Sequence, residues 1–230
     1  VMGKLEDYLQ TEWPELDVYL TSVTDHFATI SVCGPYSKKI VSEIIPDLDY
    51  SDESFPHMSF KNAKINEVDC RIMRISFTGE HSYEINIESK YGASLWKSCM
   101  EAGKNFNITP YGTETMHLLR AEKGFIIVGQ DTDGTMTPID LQMDWIVSKK
   151  KYDFIGKRSL YRSDTMREDR KQLVGLVTDD PKIVLEEGAQ IVSELNQSPV
   201  QMLGHVTSSY YSPNLKKSIA LAVVRNGKNM

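Results

Sequence analysis

The pattern of apolar and turn-forming residues changes near residue 170. Before that point, segments with helical spacing of apolar residues lie between runs that alternate apolar and polar residues. After it, short strand-like runs are separated by turn-forming stretches at 179–181, 186–188, 196–199 and 212–214. This order predicts an α+β body over residues 1–168, followed by a β-barrel domain over 169–230, with a charged linker between them.

Four segments of the first region have the periodicity of helices. Three cover 3–13, 35–45 and 91–103, and the fourth begins at Thr113 as its N-cap, holds Glu114 in its first turn and stops at Gly124. The third is predicted to bury one apolar face, made of Leu95, Trp96, Cys99 and Met100. Strands are predicted as a pair in 17–34, within 62–88, at 125–130 and at 143–149, and a short helix within 154–162.

Both ends of the chain read as the ends of a fragment. The sequence opens with Val-Met, and a strand-like run at 218–225 is followed by Asn226-Gly227, which is a strong hairpin signal. Because a hairpin needs a returning strand, we expect the strand at 218–225 to have an unpaired edge or to pair with a neighbouring molecule.

Composition excludes several classes of protein. The formal net charge is −6, whereas nucleic-acid binding requires a basic face, so nucleic acid is not the expected partner. No apolar run approaches the roughly 20 residues of a membrane span, and no signal pattern opens the chain. Three cysteines without short spacing indicate neither a disulfide framework nor a zinc site, and the reducing cytoplasm fits best.

The stretch FTGEHSYEINI, at 77–87, displays a carboxylate in a turn. One apolar run ends at Phe77 and another begins at Tyr83, so a hairpin is expected between them, with Glu80 directly after Gly79. A carboxylate on a tight turn can accept two parallel N–H bonds, as from a guanidine-like or aminopyrimidine edge. On physical grounds alone, a solvated turn residue is the commoner alternative.

Other charged groups carry weaker signals. Arg120 and Glu122 read as an exposed pair near a helix end. Asp131 and Asp133 lie in a Gly-flanked loop, but the later ligands of a calcium loop are missing. The five histidines are scattered and predict no metal site, and neither GxGxxG nor a Walker loop is present. The basic run at 148–159 reads as a solvated face.

Four stretches together resemble the folate-binding aminomethyltransferase family, whose founding member is the T-protein of the glycine cleavage system. They are 74–87, 108–160, 170–180 and 202–224, and the specific part runs from GTETMHLLRAEKG to DFIGKRSL. A narrower likeness is to the C-terminal half of the alpha subunit of heterotetrameric sarcosine oxidase. The resemblance implies the family's α+β, ferredoxin-like folate-binding body with a C-terminal β-barrel.

The resemblance also implies a binding site. The family's TGE glutamate binds the pterin ring of tetrahydrofolate and corresponds to Glu80. The implied folate-binding residues are Gly79, Glu80, Thr113, Glu114 and Arg120. T-proteins often have a tail-binding arginine where this chain has Met116, so the resemblance implies no folate-tail contact at that position. The family's catalytic aspartate lies upstream of the matched part, so no catalytic residue is assigned, and no metal is implied.

In the similar sarcosine oxidases, a flavin in the beta subunit oxidises the N-methyl group of sarcosine. The folate domain then captures the one-carbon unit as 5,10-methylenetetrahydrofolate. The resemblance therefore implies tetrahydrofolate as the cofactor here, with FAD, FMN and NAD elsewhere in the assembly, and the flavin-bearing beta subunit as the chief partner. It also implies that the isolated segment is nearly inactive.

Two other functions stay open. One is a non-catalytic relative of the folate-dependent factors that assist iron–sulfur assembly. Those factors carry Lys-Gly-Cys-Tyr, whereas this chain reads Lys123-Gly124-Phe125, which disfavours that function. The other is a module that only contacts partner subunits.

Overall fold

The computed structural model describes residues 1–196 and 198–229, which form two compact units. The first unit consists of Val1–Ser76 and Glu80–Pro110. The second consists of Phe77–Gly79 and the chain from Tyr111 onward. Each unit has its own antiparallel sheet and at least one helix, so the predicted α+β class is confirmed. In the described part of the chain, no helix is both long and apolar enough to cross a bilayer.

The first unit is a four-stranded antiparallel sheet with two of its three helices packed on one face. Its strands are β1 (Phe27–Cys33), β2 (Phe60–Ile65), β3 (Val68–Met73) and β4 (Ser82–Glu88), in the order β1-β4-β3-β2. Its helices are α1 (Met2–Thr11), α2 (Ser37–Ile44) and α3 (Gly92–Ala102). Alternation along the strands places apolar residues on the face that packs with α2 and α3, where the core contains Val32, Val41, Ile72, Ile85 and Leu95.

The second unit places one helix and a long irregular segment before its sheet. Helix α4 (Thr113–Glu122) is followed by 3-10 turns at Asp144–Ile146 and Lys157–Tyr161. The strands are β5 (Lys171–Val177), β6 (Gln190–Val192), β7 (Met202–Ser212) and β8 (Lys217–Arg225), in the order β5-β8-β7-β6. Four strands after residue 170 confirm the prediction that this part of the chain is rich in β-structure.

Three predicted strands are wrong. Residues 17–23 and 125–130 are not in strands, and the apolar run at 143–149 forms a 3-10 turn at Asp144–Ile146. In 125–130, Gly129 has a φ of 94°, which lies outside the negative φ range of a regular strand. The apolar run therefore forms a loop and not a strand. The composition of a run does not show whether a neighbouring strand is present to pair with it.

The predicted unpaired edge of the last strand is also wrong. Strand β8 lies inside the sheet and pairs with β5 on one side and β7 on the other. Asn226 adopts a φ of 58° and leads into a 3-10 turn at Gly227–Asn229 instead of a hairpin. The prediction failed because it considered only a strand that follows β8 in the sequence. The second partner of β8 is β5, which precedes it by about 40 residues in the chain.

Two helix details also differ from the prediction. Trp96 is 46% exposed and so does not belong to the buried face of α3, whereas Leu95 and Cys99 do. The N-cap of α4 is Gly112, and Thr113 is the first helical residue. The stop at Gly124 is confirmed, because Gly124 N–H bonds to Ala121 O (3.0 Å) and Phe125 N–H to Arg120 O (2.9 Å), with Gly124 at a φ of 71°.

Candidate functional site

The loop between β3 and β4 carries the predicted ligand carboxylate. Strand β3 ends at Met73, so Phe77 lies in the loop and the connection is longer than the tight hairpin predicted. Gly79 has a φ of 77°, and a Cβ there would overlap the side chain of Lys123. Both the backbone conformation and the close approach therefore require glycine directly before Glu80.

Glu80 is half-buried, and the residue after it is fastened to the start of α2. The carbonyl oxygen of His81 accepts from Gly34 N–H (2.8 Å) and from the Ser37 hydroxyl (2.9 Å), and His81 Nδ1 lies 3.0 Å from Ser37 Oγ. Since the hydroxyl gives its one proton to the carbonyl, Nδ1 carries a proton and donates to Ser37. Burial, reinforced by the charge of Arg74, lowers the pKa of His81, which favours the neutral ring.

The other end of this loop is held by Arg74. Its guanidinium donates to Asp52 (2.7 Å) and to the carbonyl oxygen of Phe55 (2.7 Å), and Phe55 is completely buried. Backbone bonds from Met58 N–H to Arg74 O and from Arg74 N–H to Ser59 O, each 2.9 Å, add to this anchor. Both ends of the loop are thus fixed to the first unit, which limits how far Glu80 can move.

The second unit contains a buried ion pair on α4. Arg120 is fully buried, and its guanidinium pairs with Asp131, donates to Phe125 O (3.0 Å) and donates to Ser208 Oγ (2.7 Å). Asp131 accepts from Ile127 N–H (2.8 Å) and from the hydroxyls of Thr207 and Ser208 (2.6 Å each). Burial alone would raise the pKa of Asp131, but these donors and the Arg120 charge together hold it below its usual value.

These contacts correct the predicted exposed pair of Arg120 and Glu122. Arg120 is buried, and Glu122 instead accepts from the Ser212 hydroxyl and from the Asn214 amide, at 3.2 and 3.3 Å from its two oxygens.

The oxygens of Asp131 are occupied by protein donors, and Asp133 accepts from Thr135 N–H (2.7 Å). Among the described residues, no group of three or more His, Cys, Asp or Glu side chains is arranged to hold a metal ion.

The predicted folate-binding residues are distributed over both units. Glu80 belongs to the first unit, and the other four to the second. Thr113 and Glu114 are exposed in the first turn of α4, whereas Arg120, two turns later, is buried. The sequence did not reveal Ser37 as the partner of His81 or Asp131 as the partner of Arg120, because no local pattern joins residues that distant.

Comparison with known proteins assigns the family. The family model for the GCVT N-terminal domain matches residues 1–151, and the model for the glycine cleavage T-protein C-terminal barrel domain matches residues 171–230. This chain belongs to the glycine cleavage T-protein family. The predicted T-protein resemblance and the predicted C-terminal barrel are therefore confirmed. The predicted domain border near residue 168 stays a prediction. The compact units divide the chain differently, since residues from Tyr111 onward belong to the unit that contains the second sheet.

Relatives within the T-protein family are of two kinds. The chain is 52% identical, over its whole length, to "Sarcosine oxidase subunit alpha" of Corynebacterium sp. (strain P-1), and 40% identical to that of Rhizobium meliloti (strain 1021). It is 31% identical, over 90% of its length, to "Aminomethyltransferase" of Thermoanaerobacter sp. (strain X514). The chain spans 24%, 23% and 54% of the lengths of these three relatives.

A solved T-protein structure has the same fold. The aminomethyltransferase T of the glycine cleavage system from Bartonella henselae aligns with a TM-score of 0.69 at 21% identity. The alignment covers 86% of this chain and 52% of that one. At this identity the likeness supports the fold only.

Proposed function

We propose that this chain is the tetrahydrofolate-binding module of a sarcosine oxidase alpha subunit. In this role it captures the one-carbon unit from sarcosine demethylation as 5,10-methylenetetrahydrofolate. The observation that carries the proposal is the match along the whole chain, at 52%, 50% and 40% identity, to three proteins named sarcosine oxidase subunit alpha. The aminomethyltransferase relatives share about 31% identity and cover about 90% of the chain.

The turn at Gly79-Glu80 supports folate as the ligand. Tetrahydrofolate presents the N–H and amine groups of its pterin ring side by side, and a carboxylate accepts such a pair in parallel. Glu80 is half-buried, follows a glycine that no other residue can replace without overlap, and precedes His81, which is tied to Ser37. A carboxylate whose neighbouring backbone is already anchored loses less conformational entropy when it binds.

The remaining residues have different roles in the proposed site. Thr113 and Glu114 are exposed on the first turn of α4 and are available to a ligand. Arg120 is buried in its pair with Asp131, so we propose that it fixes α4, and a direct folate contact by Arg120 stays a prediction. The module would hold the folate nitrogens in position and keep the reactive one-carbon unit from water.

The assembly is part of the proposal. Oxidation of sarcosine would occur at a flavin in a beta subunit, with FAD, FMN and NAD bound outside this module. We further propose that the assembly is cytoplasmic, which suits three free cysteines.

Substitution of Glu80 by glutamine tests the folate site. In the complete alpha subunit, Glu80→Gln should weaken tetrahydrofolate binding by about 1–3 kcal/mol, because an amide N–H₂ would face the donors of the pterin. Isothermal titration calorimetry measures this change. Glu53→Gln, an exposed carboxylate in another loop of the same unit, is the matched control and should bind as the parent does. Equal affinities for the parent and Glu80→Gln would show that Glu80 does not bind folate. Both variants should still oxidise sarcosine.

The isolated segment should show little one-carbon transfer. It spans 24% of the length of the sarcosine oxidase relatives, and a partial site makes fewer contacts while the ligand still loses its translational freedom. Titration of residues 1–230 with tetrahydrofolate should give an affinity weaker than micromolar. Tighter binding, or formation of methylenetetrahydrofolate from formaldehyde above the uncatalysed rate, would contradict this prediction.

A further inference from the structure

The segment 144–162 of the second unit exposes large apolar side chains. The exposed fractions are 74% for Trp145, 51% for Ile146, 96% for Tyr152, 73% for Ile155 and 67% for Tyr161. Single exposed apolar residues are common on protein surfaces, but five within 19 consecutive positions form a concentration that marks interaction sites. We refer to residues 144–162 as the docking segment.

The docking segment is built to present these side chains. It contains two 3-10 turns, Asp144–Ile146 and Lys157–Tyr161, joined by residues 147–156, and Gly156 directly before the second turn has a φ of 90°. A groove of about 280 Å³ runs between the turns and is lined in part by Val147, Phe154 and Leu160. Lys149, Lys151 and Lys157 also line this groove, so its border combines apolar and cationic side chains.

The docking segment is also strongly basic. Its cationic residues are Lys149, Lys150, Lys151, Lys157, Arg158 and Arg162, against two carboxylates, Asp144 and Asp153. The segment thus carries a net charge of +4 in a chain whose formal charge is −6. Among the described residues, none of these six cations is in an ion pair, although other lysines and arginines of that part of the chain are.

We propose that the docking segment binds a neighbouring subunit whose surface presents carboxylates around an apolar patch. The choice of a subunit as partner rests on the proposed function, in which the chain works inside a multisubunit oxidase. Charge complementarity supports it, since unpaired cations on an acidic protein attract an acidic partner and repel basic ones. Tyrosine, tryptophan and arginine are the residues that contribute most to binding energy at protein interfaces.

Two other kinds of partner suit the segment less well. Nucleic acid requires neutralisation of many phosphates, and the net charge of −6 opposes its approach. A membrane surface is bound by amphipathic helices with one basic and one apolar face, whereas the docking segment consists of short turns.

The test uses the complete alpha subunit co-expressed with the other subunits of its oxidase. The dissociation constant of the purified alpha subunit for its partner subunits is measured at low and high salt. Tyr152→Ser with Ile155→Ser should raise it at least tenfold at both salt concentrations. Lys149→Glu with Lys151→Glu should raise it at least tenfold at low salt and less at high salt, because salt screens the charge term. A zero-length carbodiimide should couple lysines of the docking segment to carboxylates of a partner subunit.

Matched controls lie elsewhere in the chain. Tyr19→Ser, at a tyrosine that is 90% exposed in the first unit, and Lys182→Glu, at an exposed lysine, should assemble as the parent does. Folate affinity should be unchanged in every variant. Absence of folate binding in the parent would refute the folate part of the proposed function and would leave the assembly part, on which this proposal rests, unaffected. Parent-like assembly of both docking variants would overturn this proposal. The proposal would also be overturned if all cross-links stayed within the alpha subunit. The same holds if the docking variants lost only binding to anionic vesicles or to nucleic acid and assembled normally with the partner subunits.

Discussion

At the scale of single residues, the pair Arg120–Asp131 is the clearest example of burial that demands partners. Both side chains are sealed from solvent, and Asp131 receives donors from Ile127, Thr207 and Ser208 besides the guanidinium. A buried charge that loses its counter-ion keeps the desolvation cost without the compensating attraction. Removal of either partner would therefore lower the stability of the protein mainly because the other charge would stay buried without a counter-ion.

Asp131→Ala should destabilise the protein by about 3–5 kcal/mol, because Arg120 would stay buried without a counter-ion. Urea denaturation measures this change. Asp169→Ala removes a carboxylate from the exposed pair with Arg167 and should cost far less. Equal shifts of the urea midpoint for the two variants would show that Arg120 finds another partner or reaches water.

Gly79-Glu80 and Arg120 show which single-residue features could be predicted from the sequence. The special status of Gly79-Glu80 was readable, because a glycine and a carboxylate between two apolar runs form a local signal. The burial of Arg120 was not readable, because its hydroxyl partner Ser208 lies 88 positions further along the chain. Arginine on a short helix is normally exposed, and only the folded chain provides the exception.

At the scale of elements, helices were predicted better than strands. Helices α2, α3 and α4 each have a local periodicity and a recognisable end, which sequence shows directly. A strand requires a partner, and the run at 125–130 has none in the described structure although its composition suits one. For β8 the opposite error occurred, since its second neighbour, β5, is distant in sequence.

Close approach of β7 and β8 gives a prediction at this scale. A Cβ at Gly204 would overlap the carbonyl oxygen of Val223, whereas a Cβ at Gly175 on β5 would meet no atom within 4 Å. Gly204→Ala should destabilise the protein by about 1–3 kcal/mol, because a backbone atom cannot move aside as a side-chain end can. Gly175→Ala should be neutral or slightly stabilising. Thermal unfolding of the two variants checks this, and equal melting temperatures would contradict it.

At the scale of the whole molecule, the sequence predicted the α+β class, the β-rich second part and the family. It did not show that the chain from Tyr111, including α4, packs with the second sheet, since α4 looks locally like the helices of the first unit. What joins α4 to that sheet is the polar network around Asp131, with Thr207 and Ser208 on β7. Such long-range hydrogen bonds leave no periodic trace in a sequence.

The response of the second unit to acid depends on two buried carboxylates, Asp131 and Asp140. Asp140 accepts from the Arg170 guanidinium (2.9 Å) and from Thr137 N–H (2.8 Å). Burial alone would raise the pKa values of Asp131 and Asp140, but their donors, chiefly Arg170 for Asp140, hold both below the usual range. A carboxylate with a lowered pKa in the folded state binds fewer protons there than in the unfolded state, so its contribution to stability is complete above the unfolded pKa of about 3.9. That contribution is lost as the pH falls through the lower, folded pKa values.

Urea midpoints of the parent should therefore be nearly constant with respect to these two groups from pH 7 to about pH 5, and should fall progressively below about pH 4. Asp140→Asn should lower the midpoint at pH 7 and flatten the fall in acid, because one of the two linked protonations is gone while Arg170 keeps an acceptor. Asp153→Asn, at an exposed position of the same unit, should leave both the midpoint and the slope unchanged. An acid slope for Asp140→Asn equal to that of the parent would mean that Asp140 does not couple folding of this unit to protons.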